Sequence, residues 1–211
     1  MRVSEIYRSI QGESSFAGLP CTFVRLTGCN LRCTWCDTTH AFAGGVSMAV
    51  PDVARRAGEL GTRLVEVTGG EPLWQAGCLP LLRLLCDRGH TVLLETGGSL
   101  DVGAVDPRVR RILDVKPPGS GMAHRNRWAN LALVGARDEV KFVLSDRADY
   151  EWTRAVIREH GLERRTHVLL SAVFGALEPR DVVAWMLEDG LEARFQLQLH
   201  KVVWEPDRTG V

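Results

Sequence analysis

The sequence predicts an α/β fold: an open or partial (β/α) barrel of six to seven mostly parallel strands, in a single domain over residues 1–211. Three observations carry this. Short β-rich runs alternate with helix-like stretches, the pattern of βαβ units. Those runs are nearly continuous in apolar residues, as strands covered on both faces are. Polar residues and glycines gather directly after the runs, where such folds keep their functional loops.

The elements follow in order. Cys21 to Thr27 is β-rich and leads straight into a cysteine cluster. Pro51 to Leu60 is helical in pattern, Leu64 to Thr68 is a strand ending in Gly69-Gly70, and Leu79 to Arg88 is a helix stopped by Gly89. Thr91 to Glu95 is a strand followed by Gly97-Gly98, and Arg111 to Val115 is a strand stopped by Pro117-Pro118. Gly119 to Gly135 lacks a pattern and is expected to be loop-rich. Glu139 to Leu144 and His167 to Ser171 are strands. Helices are expected over Ala148 to His160 and Pro179 to Asp189, and Arg194 to His200 is expected as the last strand.

Lys plus Arg and Asp plus Glu both number 26, so no basic excess exists to clamp a nucleic-acid backbone. A small-molecule substrate is the expectation, with no nucleic acid and no membrane. Arg2, Glu5 and Arg8 interrupt the start of the chain, which leaves no signal-peptide core, and a cytoplasmic location is expected. The cysteines should then stay reduced, and close-spaced ones read as metal or redox ligands.

Cys29, Cys33 and Cys36 are separated by three and then two residues. On a loop, that spacing lets three thiolates converge on one inorganic centre. Iron–sulfur clusters usually take four thiolates. Three leave one iron open to an exogenous ligand, as reductive cleavage of S-adenosylmethionine (SAM) requires. A Cys3His zinc site completed by His40 is the alternative at this point. Cys21, Cys78 and Cys86 read as small core hydrophobes.

The cysteine spacing, Trp35 before Cys36, and Thr68-Gly69-Gly70-Glu71-Pro72 together resemble the radical SAM superfamily. Ile10-Gln11-Gly12-Glu13, Arg25, Cys36-Asp37-Thr38, Glu95-Thr96-Gly97-Gly98-Ser99 and Gln198-Leu199-His200-Lys201 fall in the order of the 7-carboxy-7-deazaguanine synthase family. The resemblance spans Glu5 to about Pro206. It implies ring contraction of 6-carboxy-5,6,7,8-tetrahydropterin to 7-carboxy-7-deazaguanine with loss of ammonia, in 7-deazapurine and queuosine synthesis. It also implies a 4Fe-4S cluster on Cys29, Cys33 and Cys36, with SAM and Mg²⁺ as further cofactors. Trp35, Cys36, Asp37, Gly70, Lys116 and Ser171, Ala172, Val173 and Phe174 match SAM-contacting positions, and Thr38 matches the Mg²⁺ ligand. Ile10, Gln11, Gly12, Arg25, Thr68, His200 and Pro206 match substrate contacts. A homodimer is implied as well; the electron donor is not named by the sequence, and a flavodoxin or ferredoxin is the expectation. A glycyl-radical activase would share the cluster and glycine motifs but not the two chain-end motifs.

This sequence departs from the family pattern at Ser14, where glycine is frequent, and at Ser171-Ala172, where Gln-Pro is common. Asp207 to Val211 runs past the point where some family chains end. This segment is polar and is expected to be disordered and dispensable, while Val202, Val203 and Trp204 are expected to dock on the domain.

Overall fold

The structure, a computed structural model, describes residues 1–211. Its centre is one open sheet of nine strands: β1 (Arg2–Ile10), β2 (Pro20–Leu26), β3 (Val46–Ser47), β4 (Leu64–Gly69), β5 (Thr91–Thr96), β6 (Arg110–Asp114), β7 (Glu139–Leu144), β8 (His167–Ala172) and β9 (Arg194–Phe195). The spatial order is β3-β1-β2-β4-β5-β6-β7-β8-β9. From β2 to β9 every pairing is parallel; β1 runs antiparallel to both its neighbours.

The seven parallel strands are those expected. The two antiparallel ones are additions, because β1 shows no clean alternation of apolar and polar residues and β3 has only two residues. The last strand corrects the sequence reading. Only Arg194–Phe195 pairs with β8; the chain leaves the edge after Gln196 donates its N–H to Leu170 O, and Leu199–Val203 is a short helix.

The helices are α1 (Val50–Glu59), α2 (Cys78–Asp87), α3 (Arg147–Glu159), α4 (Pro179–Asp189) and α5 (Leu199–Val203). Local chemistry sets their ends: Asp146 caps α3 by accepting from Asp149 N, and Gly190 ends α4 in the left-handed region. Residues 119–135 hold only short 3-10 turns.

Strand periodicity divides the sheet into two chemistries. On one face Val24, Leu26, Val65, Val67, Val92 and Leu94 pack against the helices in the main core. On the other, Cys21, Phe23, Leu64, Leu93 and Ile112 form a small apolar floor under Tyr7 and Phe16. One step further toward the carboxyl ends of the strands, that face turns polar: Arg25, Glu66, Thr68, Glu95, Asp114 and Lys141 line a cavity of about 300 Å³. No helix is long and apolar enough to cross a membrane.

Candidate active site

The cysteine loop leaves β2 and is held by the glycine motif after β4. Gly70 N donates to Leu26 O (3.1 Å), and Glu71 N to Gly28 O (2.8 Å). Those bonds demand close backbone approach. A Cβ on Gly70 would lie 2.1 Å from Gly28 O, and one on Gly69, whose φ is +135°, would lie 2.1 Å from Leu26 O. Protein-to-protein contact therefore already requires these glycines. The buried Glu71 carboxylate ties the arrangement to β5, accepting from Thr96 Oγ1 (2.8 Å), Gly97 N (2.8 Å) and Leu73 N (3.0 Å). Thr34 fastens the far end of the loop, its N–H to Ser120 O and its hydroxyl to Gly119 O, both at 3.1 Å.

Cys29, Cys33 and Cys36 are free, half-buried, and line one rim of the cavity. Burial pushes the Cys29 and Cys33 thiols up, and the nearby Lys116 ammonium pulls them back. Lys116 is held by Asp114 at 2.9 Å. Thr38 Oγ1 lies 3.7 Å from Cys36 Sγ. His40 points elsewhere, to Glu5 at 3.4 Å, and the thiols do not close with it on a single-ion site. The zinc alternative loses its fourth ligand.

The opposite rim joins the two ends of the chain. Gln11 accepts from Glu13 N (3.0 Å) through its amide oxygen and donates through Nε2 to Glu66. Gly12 O receives Leu199 N (3.0 Å), and a Cβ on Gly12 would lie 2.6 Å from His200 Nδ1. The motifs around Gln11 and His200, far apart in sequence, are thus one contact. Ser14 has a φ of +66°, which explains why glycine suits this position; here its N–H donates to Gln196 Oε1 (2.8 Å) and its hydroxyl accepts from Phe16 N (3.1 Å). Arg25 is clamped by Glu5 (2.6 Å) and the Tyr7 hydroxyl (2.9 Å), leaving Nη1 for a ligand.

Between the rims lies an ion network that the motifs did not announce. Lys141 Nζ meets Glu13 (3.0 Å), Glu95 and Asp114 (3.6 Å). Thr68 Oγ1 donates to Glu95 Oε2 at 3.3 Å. Burial alone would raise the Glu95 carboxyl, but the Lys141 charge overrides it and leaves Glu95 below the usual range. Burial and then the neighbouring Glu95 charge push Glu66 well above that range. Burial lowers His200, leaving its imidazole neutral at neutral pH. Glu66 and Lys141 were legible in principle: each is a charge flanked by apolar residues inside a strand.

The remaining expected residues separate. Ile10, Trp35, Asp37, Val173, Phe174 and Pro206 line the cavity; Ser171 and Ala172 do not, and Ser171 Oγ is buried without a partner. They sit on β8, behind the loop that faces the cavity. His200 belongs to α5, not to a strand end. Lys201 reaches Asp37 at 3.1 Å and lies over the Phe174 ring. The docking expected of the tail holds only for Trp204, which is half-buried; Val202 and Val203 are 62% and 57% exposed, because α5 turns Lys201 inward and those two outward. Asp207 to Val211 returns to the cavity and lines its mouth, with Asp207 to Gly210 exposed.

The radical SAM superfamily profile matches residues 23–178. Among curated relatives, a 7-carboxy-7-deazaguanine synthase of Chlorobaculum tepidum is 50% identical over all of this chain and 97% of its own. One of Koribacter versatilis is 44% identical over the full length of both. Among solved structures, QueE from Escherichia coli superposes with a TM-score of 0.76 at 24% identity, covering 94% of each chain. SuiB from Streptococcus suis superposes at 0.60 with 13% identity, covering 82% of this chain and 47% of that one.

Proposed function

The chain belongs to the 7-carboxy-7-deazaguanine synthase family of the radical SAM superfamily, and from that premise we propose that it converts 6-carboxy-5,6,7,8-tetrahydropterin to 7-carboxy-7-deazaguanine with loss of ammonia. One observation carries this reading beyond the superfamily: the family-matched residues of both chain ends face the cysteine rim across one cavity. A glycyl-radical activase would not need that arrangement.

The donor set fits the expected cofactors. Three half-buried thiols on one rim of the cavity suit a 4Fe-4S cluster with one open iron. When bound, cluster and SAM supply one-electron cleavage and hydrogen-atom abstraction; the chain supplies position and charge. Lys116 offsets negative charge at the cysteine rim. To SAM we assign Trp35, Cys36, Asp37, Gly70, Val173 and Phe174, all of which line the cavity, with Ser171 and Ala172 behind that wall. We assign Mg²⁺ to Thr38, a hard oxygen at the mouth between the rims. Asp37 is already engaged by Lys201.

For the substrate, Arg25 presents the free side of its guanidinium to the carboxylate. The backbone of Ile10, Gln11 and Gly12 faces the pterin edge. The Thr68 hydroxyl, its proton committed to Glu95, accepts from a ring N–H. Neutral His200 closes the site from α5, and Pro206 begins the tail that walls it. Glu13 Oε1 and Asp114 Oδ1 are buried without partners, so the cavity retains acceptors for a donor-rich ligand.

Anaerobic reconstitution, then incubation with SAM, a reductant and the pterin, tests the reading. Deazaguanine product with 5′-deoxyadenosine is expected; SAM cleavage without product would refute the substrate. Thr38→Ala should raise the Mg²⁺ requirement while keeping iron content, and an unchanged requirement would remove Thr38 as ligand. We further propose a flavodoxin- or ferredoxin-type donor, a homodimer and a cytoplasmic location, in keeping with the family resemblance.

A further inference from the structure

Glu66 lies at the bottom of the cavity, fully buried on β4, and no step described so far uses it. We propose that it is a positioning residue of the substrate pocket: a neutral carboxylic acid that donates its proton to Glu95, accepts from Gln11, and thereby fixes both the β5 carboxylate and the Gln11-Gly12-Glu13 turn against the pterin. The inference rests on the pterin reading.

Donor and acceptor accounting leads there. The Gln11 amide oxygen is taken by Glu13 N, so its NH₂ must face Glu66, and that Glu66 oxygen must accept. Glu95 has one oxygen on Lys141 and the other receiving the Thr68 hydroxyl; it has no proton to offer. The Glu66 and Glu95 carboxyls, on the adjacent parallel strands β4 and β5, lie within hydrogen-bonding reach of each other, and that contact is a bond only if Glu66 supplies the hydrogen. The groups facing Glu66 from the elements packed on it are Tyr7, Cys21, Glu13, Glu95 and Lys141. Only one of these is a cation, and it is already shared among Glu13, Glu95 and Asp114. A second ionised carboxylate would have no counter-charge, and in a water-poor site such a pair keeps one proton between them.

The consequences reach both ends of the chain. Through Gln11, the Glu66 carboxyl holds Glu13 N; the turn then presents Gly12 O to Leu199 N and sets Gly12 against His200. Through Glu95, it holds the partner of the Thr68 hydroxyl. One proton on β4 therefore braces Gln11, Gly12, His200 and Thr68, all assigned to the substrate, from the bottom of the cavity.

Two substitutions separate this from a merely structural role. Glu66→Gln keeps the pattern, with NH₂ toward Glu95 and C=O toward Gln11, and carries no titratable proton. Glu66→Leu keeps the volume and removes both bonds. The readouts are the pterin and SAM dissociation constants of reconstituted protein, measured by calorimetry. Glu66→Leu should weaken pterin binding about tenfold or more, the effect of leaving buried polar groups unpaired, while Glu66→Gln stays within about threefold of wild type. SAM affinity should move by less than about threefold in both. If Glu66→Leu does not fold, Glu66→Met, closer in shape to the acid, removes the same two bonds and should give the same selective loss. Glu66→Gln binding pterin as poorly as Glu66→Leu, or Glu66→Leu binding it as wild type does, would overturn the proposal. Wild-type protein that binds no pterin would instead overturn the substrate reading, so the two failures are distinguishable.

Discussion

Gly70→Ala isolates what the glycine motif does. The added methyl would sit 2.1 Å from Gly28 O, 2.6 Å from Gly28 C and 2.8 Å from Cys29 Cβ. Ordinary contact starts at 3.4 Å, so the two loops would have to part by roughly 1.3 Å. The obstacle is backbone, and no rotamer change relieves it. The same backbone carries the Gly70 N–Leu26 O and Glu71 N–Gly28 O bonds, which the separation would stretch. Overpacking of this kind costs about 1–3 kcal/mol, and the two weakened bonds add about 1 kcal/mol. A chain of this size should then melt roughly 5–15 °C lower before any cofactor is added. Cys29 would shift with the loop, so iron and acid-labile sulfide after reconstitution should fall as well. Gly97→Ala is the comparison: its methyl meets Leu31 Cδ1, a movable side-chain tip, at 2.8 Å, and should leave the melting temperature nearly unchanged. Wild-type melting and iron content in Gly70→Ala, with only SAM affinity lost, would refute the steric argument and assign the glycine to ligand approach alone.

Arg25→Lys keeps the charge but loses the fork and the bond to Tyr7. Pterin affinity should fall by about 1.5–3 kcal/mol with SAM affinity intact, and an equal loss of both would make Arg25 structural. Deleting Asp207 to Val211 should raise the Michaelis constant for the pterin about tenfold at constant melting temperature, because it unroofs the cavity; an unchanged constant would show that the tail is no wall. Lys141→Met strands Glu13 and Glu95 without their cation, while Asp114 keeps Lys116, and should cost ~3–5 kcal/mol in denaturant unfolding, whereas a loss under ~1 kcal/mol would mean that water reaches the network. Burial and the Glu95 charge hold the Glu66 carboxyl well above the usual range, so with Glu66 neutral as proposed the folded state binds the extra proton and stability falls as pH rises from the unfolded carboxylate range toward the raised folded value. Glu66→Gln should therefore melt like wild type near pH ~4 and increasingly above it toward neutrality; a constant difference would mean that Glu66 is not protonated in the fold.

The sequence by itself determined the parallel strands and the helices between them. Apolar runs and glycine or proline stops are local signals, and helices α1 to α4 begin and end within a residue of where those signals put them. It also determined the cysteine loop, whose spacing is a covalent fact. It did not reveal β1, whose residues only become half-buried by pairing across the β2 edge, nor the end of the last strand, where Gly12 O draws Leu199 N off the sheet edge into α5. The clearest limit is the charged cluster. Glu13, Glu66, Glu95, Asp114 and Lys141 come from five separate segments, and in sequence each is an isolated charge. Only the parallel register, with Asp114 beside Lys141 and Thr68 beside Arg25, stacks their side chains into one buried face. There the low dielectric and the single shared cation decide which acid keeps its proton. That outcome depends on distances between strands, and no spacing along the chain encodes it.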